Sequence, residues 1–196
     1  MSIGLGLGQG TPGAILSLMY IYHRVPDNMT GVTLHPLNRL RDVFPEAYTQ
    51  HASKYKGREA IRKKTIPILG CLWNDVLHFT AVHPSTLKQA LIDSGANNLS
   101  NQKMSYYKIP SELLEQEKSI VYLYKPEYGR GSQMSESNFE KYFPNMVGRY
   151  SAIPIETLQY YSESFSEGRR PLMFVHIPHI LYQGGLDISG CEIIQV

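Results

Sequence analysis

The chain has 196 residues, 42% hydrophobic and 18% charged, with a formal net charge of +2. That length suffices for one domain with a full core, and no apolar run approaches the ~20 residues of a membrane-spanning helix. Two cysteines, Cys71 and Cys191, exclude a disulfide framework and fit free thiols in a reducing, cytoplasmic setting. The balance of charge is neutral on nucleic acid as a partner, and the 14 tyrosines suit surfaces that are both apolar and hydrogen-bonding.

Residues 1–18 contain five glycines and no charge, and read as a flexible leader before a single globular domain over 19–196. Gly8-Gln9-Gly10-Thr11-Pro12-Gly13 spells G-x-G-x-x-G, but no strand precedes it as a dinucleotide loop requires. Met19 is a candidate natural start.

Tyr20 to Arg24 reads as a short strand ending in His23-Arg24, closed by a turn over residues 27–31. Helical spacing after His35-Pro36 predicts two helical pieces, 36–43 and 45–56, split by Pro45, and a third over 58–64. Residues 39–64 carry eight Lys/Arg against three acids, the strongest local charge excess. This is either a solvated helix face or a docking surface for a phosphate-bearing or macromolecular partner.

The densest run is Cys71 to Pro84. Asp75 to Val82 alternates as a strand, with Asp75, Leu77, Phe79 and Ala81 on one face and Val76, His78, Thr80 and Val82 on the other. Asn74, Asp75 and His78 then enter a dry environment, where each needs a partner. A helix follows from Pro84, capped by Gly95, then a loop over 95–103. Strands are expected at 106–109 and 119–125, a short helix at 110–117, a lid at 126–137 and a helix at 138–143. Pro154 opens an amphipathic helix ending at Gly168. Strands at 172–177 and 191–196 complete the chain, with a turn at Gly184-Gly185. Mixed elements without a βαβ rhythm predict an α+β fold, its central sheet mixed or antiparallel with helices packed around it.

Three chemical readings stay open. His23 beside Arg24 could present an imidazole and a guanidinium to an anion. His78, His83 and His176 with Asp75 could serve a metal-dependent hydrolase, though no spacing matches a helix-borne ligand pair and Pro178 bars a helix there. A Tyr-rich surface with the basic segment could hold a protein or nucleic acid without catalysis. Neither cysteine lies beside a cation or a helix start that would activate it.

Tyr20-Ile21-Tyr22-His23-Arg24 resembles the opening strand of the ADP-ribosyltransferase-like superfamily, in its H-Y-E branch. Leu181 to Ile188, followed by Ile193-Ile194, resembles the closing strands of some members. The resemblance implies NAD as cofactor, His23 at the nicotinamide-side ribose, and a macromolecular target. Tyr106, Tyr107 and Tyr122 are the strand tyrosines from which the middle Tyr would come; Glu156, Glu163 and Glu192 do not fall where the family's Glu should. The cofactor-binding set is therefore His23, Arg24 and Tyr107, and the catalytic set His23, Asp75 and His78. The chain also resembles a bacterial family of undetermined function.

Overall fold

The computed structural model describes residues 18–27, 29–53, 57, 59–123 and 134–196. In chain order the first strands are β1 (Tyr20–Arg24), β2 (Thr33–Leu34), β3 (Thr65–Ile66), β4 (Cys71–Leu72), β5 (Leu77–Phe79) and β6 (Ser105–Pro110). The remainder are β7 (Ser119–Tyr122), β8 (Phe139–Lys141), β9 (His179–Tyr182), β10 (Leu186–Asp187) and β11 (Glu192–Gln195). The α-helices are α1 (Leu37–Val43), α2 (Pro45–Ala52), α3 (Pro84–Asp93) and α4 (Ile155–Ser166).

β6 pairs with β1 on one side and β11 on the other, while a second ladder runs β5–β9–β7–β8, antiparallel throughout. The two ladders meet at one point. Tyr22 N–H donates to Thr80 O at 2.8 Å, and Thr80 N–H donates back to Tyr22 O at 3.1 Å. An antiparallel spine results, in the order β11–β6–β1–β5–β9–β7–β8. Side chains alternate across it. One face supplies Ile21, Phe79, Tyr107, Ile109, Ile180 and Tyr182 to the main core, closed by Leu34 of β2 and Leu186 of β10. The other face carries Ile120, Tyr122 and Leu181 in one cluster and Tyr22 with Tyr106 in another. Helix α3 packs there through Leu87, and α4 joins α3 through Tyr161. This is an α+β domain with helices around an antiparallel sheet. Among the described residues no helix is long and apolar enough to cross a membrane.

Several elements differ from the expected ones, each for a local reason. Residues 73–75 form a 3-10 turn rather than the start of a strand, because the Asp75 carboxylate accepts the Leu72 N–H at 2.8 Å. Residues 139–141 are strand, not helix, since they complete the ladder beside β7. Residues 172–177 are turns: His176 takes φ 63° and Pro178 follows, which stops a strand from forming before β9. Residues 59–63, 111–113 and 116–118 are 3-10 turns instead of helices. Most of the expected leader (1–17), the end of the strand expected to 125 with the first part of the lid (124–133), and the end of the second helical piece (54–56) lie outside the described residues.

The tyrosines also depart from expectation. Among the described tyrosines seven, Tyr22, Tyr106, Tyr107, Tyr122, Tyr142, Tyr161 and Tyr182, are buried. Burial is tolerated where the hydroxyl finds an acceptor: Tyr142 donates to Ser111 O at 2.6 Å, Tyr161 to Met173 O, and Tyr182 to Glu115 at 3.1 Å. The tyrosine excess therefore builds core more than surface.

Leu181, fully buried between His78 and Ile120 on neighbouring strands, tests the spine directly. Leu181→Ala should lower unfolding free energy by about 2–5 kcal/mol in urea titration. A loss well below that range would mean that the centre of the ladder is loosely packed.

Candidate functional site

His23 stands in strand β1 one residue past the junction of the two ladders, next to the strand's last residue, Arg24. The alignment of β1 with β5 places the imidazole edge-on to Phe79, with ring centres 5.5 Å apart. The Nδ1 of His23 lies 2.7 Å from Arg24 O. A carbonyl only accepts, so Nδ1 carries the proton and Nε2 has acceptor character. The half-buried ring lines a recess of about 60 Å³ shared with Leu34, His35, Leu40, Phe44 and His51. The β1–β2 connection and the α1–α2 pair form its walls.

His35 also lines a larger cleft of about 480 Å³. Asn38, Arg39 and Asp42 of α1 line one side; Asp75, Gln183, Gly184 and Gly185 line the other. Gly185 permits this closeness. A Cβ there would lie 3.2 Å from Thr33 Cγ2 and 3.4 Å from His35 Nδ1, so those side chains would have to give by a few tenths of an ångström. Asp75 joins the two walls, since its Oδ1 accepts from Asn38 Nδ2 at 2.7 Å while Oδ2 holds the Leu72 amide. The volume falls within the range of ordinary small-molecule sites.

The residues singled out from the sequence are distributed over this frame. His23 lines the recess and Asp75 lines the cleft, so two of the three catalytic candidates face cavities that share His35 as a lining residue. His78 does not. It lies on the reverse face of the spine, its Nε2 3.0 Å from Trp73 O and its ring 4.6 Å from the Trp73 ring. Arg24 also points away from His23, because adjacent strand residues alternate; it is exposed and near Tyr106, whose phenol is pushed up by burial against a smaller opposing effect of Arg24. Tyr107 is the cross-strand partner of His23 but is packed in the main core, its phenol pushed up chiefly by burial. Asn74 is buried too, and neither atom of its carboxamide meets a partner among the described residues.

The histidines of the metal reading are dispersed. His83 caps α3, its Nδ1 3.3 Å from the Ser85 amide and 2.6 Å from the Ser85 hydroxyl, and its ring stands against Tyr22. His176 packs beside Tyr160. Among the described residues no group of three or more His, Cys, Asp or Glu is placed to hold a metal ion. Cys71 is no nucleophile at neutral pH, its thiol pushed up to about 11 by burial and by Asp75.

His35, Asn38 and Gln183 were not legible as site residues. The sequence marked His35-Pro36 only as a helix start and Gly184-Gly185 only as a turn. Comparison of the chain with protein-family models, with curated proteins and with solved structures finds no match.

His78 and His179, at right angles with centres 6.1 Å apart, set a pH dependence. Burial, then the neighbouring His179, lowers the His78 pKa from 6.5 to about 3; burial lowers His179 as well. Unfolding restores an ordinary imidazole, so the unfolded chain binds the extra protons as pH falls below its own pKa of 6.5. Stability is full above that pH and declines towards pH 3, by at most about 1.4 kcal/mol per pH unit for each histidine. Urea titrations across this window should show the decline, and His78→Gln should flatten it. An unchanged slope in the variant would remove His78 as a cause.

Proposed function

We propose that the protein binds NAD in the recess and cleft that share His35 and acts as an ADP-ribosyltransferase-like protein on a macromolecular target. The observation that carries this reading is the position of His23. It lines a small recess that shares His35 with a cleft of about 480 Å³. The resemblance of the opening strand assigns that same histidine to the nicotinamide-side ribose. An imidazole whose Nδ1–H is held by the Arg24 carbonyl keeps a fixed orientation at the recess wall.

Transfer from NAD develops positive charge on the ribose as nicotinamide leaves, and a carboxylate nearby would stabilise it. Asp42 and Asp75 are the carboxylates among the residues lining the cleft. Asp75 is the better candidate, because Asn38 and the Leu72 amide fix its orientation. The same two bonds favour a second reading, a binding protein without transfer: a carboxylate with both oxygens engaged can be a strut alone.

Two measurements separate these readings. Thermal melting with millimolar NAD should raise the midpoint, since a ligand present at a hundred times its dissociation constant adds about 2.7 kcal/mol to the folded state. His23→Ala should abolish that shift while leaving the melt without NAD cooperative. If the midpoint of the unaltered protein does not move, NAD is not the ligand. Where it does move, nicotinamide release that falls at least tenfold in Asp75→Asn, about 1.4 kcal/mol of lost transition-state stabilisation, marks an enzyme. Binding with no release in either protein marks a binding module.

A further inference from the structure

Two guanidinium groups converge on one phenol beside the cleft. Arg41 of α1 lies over the Tyr48 ring of α2 at 5.2 Å, and Arg62 lies over the same ring at 5.8 Å. Arg62 also donates to the Tyr48 hydroxyl. Lys63 and Lys64 follow directly in the chain. Within this group no cation has a carboxylate within 4 Å among the described residues; the ion pair nearest in sequence is Arg39 with Asp42, at 3.8 Å and well exposed.

Bringing like charges together from two segments costs energy that an anion lying across them would offset, and one aromatic ring offsets only part of that repulsion. Arg41 and Lys63 are exposed, while Arg62 and Lys64 are half-buried, so the group forms an open surface rather than an enclosing pocket. An open row of cations suits a polyanion that passes across it. Guanidinium groups held against an aromatic ring are pre-ordered for forked contacts to phosphate oxygens.

We propose that Arg41, Tyr48, Arg62, Lys63 and Lys64 form a binding surface for the phosphodiester backbone of nucleic acid. Helix α1 also supplies Asn38 and Arg39 to the cleft wall, so a strand held here would pass beside the cleft mouth. The inference goes beyond the NAD reading and does not depend on it.

Fluorescence anisotropy with labelled RNA and DNA of about 20 nucleotides, single- and double-stranded, tests the surface on the intact protein. Four backbone contacts to a single strand imply a roughly 50-fold loss of affinity between 50 and 200 mM salt. Arg41→Gln with Arg62→Gln leaves two contacts and should reduce that loss to about 7-fold, with weaker binding at low salt. Lys103→Gln with Arg170→Gln removes the same charge from exposed positions elsewhere and should change neither quantity. Should the double variant fail to melt cooperatively, the exposed Arg41→Gln alone and the salt slope of the unaltered protein still decide. The proposal is overturned if no oligonucleotide binds at low salt, or if the control pair weakens binding as much as the arginine pair. Displacement by pyrophosphate or polyglutamate as readily as by unlabelled oligonucleotide would also overturn it, pointing to a small phosphate or an acidic protein.

Discussion

The fold depends on the pair of hydrogen bonds between Tyr22 and Thr80. Without them the chain would have two unrelated ladders; with them it has one spine and a main core along one face. Both groups belong to buried residues, so neither bond competes with water. The junction is also where the ladders begin to diverge. His23 is the next residue on β1, and its partner Phe79 is the last of β5. A residue just past a diverging point is held by strand pairing on one side and open to a recess on the other. That combination gives a binding residue both precision and access.

Asp75 has the complementary position. Its carboxylate turns the chain before β5 and ties that turn to α1, so the wall of the cleft is set by the same group that lines it. Structure and chemistry are therefore not separable at this residue. The reverse face of the spine is different in character. His78 and His179 sit deep among Trp73, Tyr122 and Phe174, each with one nitrogen against a backbone carbonyl, and burial keeps both neutral. They contribute to packing at neutral pH and become a liability in acid.

Charge is distributed with the same asymmetry. The acids of the late helix and the cations near its ends are spread over solvent, and Arg149 and Arg169 have carboxylate neighbours in Glu140 and Glu167. The arginines around Tyr48 have none among the described residues. A basic segment seen as a count of residues is ambiguous; the same segment folded so that two guanidinium groups share one ring is a defined surface.

The mixed class, the strands near 20, 107, 120 and 194, and helices α3 and α4 were all legible. Each follows from local chemistry: alternation in strands, Pro at helix starts, and Gly95 and Gly168 with positive φ at helix ends. Alternation also assigned Leu77, Phe79 and Ala81 to one face correctly, and it placed His23 at a strand end. It could not show that Asp75 would leave the strand, because a side-chain bond to the Leu72 amide outweighed the pattern. Nor could it show that residues 139–141 would extend, since their partner, β7, is nearly twenty residues away. The expected company of His23 with Arg24 and His78 was likewise undone by alternation once the register was set. What brought His35, Asp75 and Gln183 around one cleft, with His23 in the recess that shares His35, was contact between segments up to 160 residues apart, and distances of that kind are decided by packing alone.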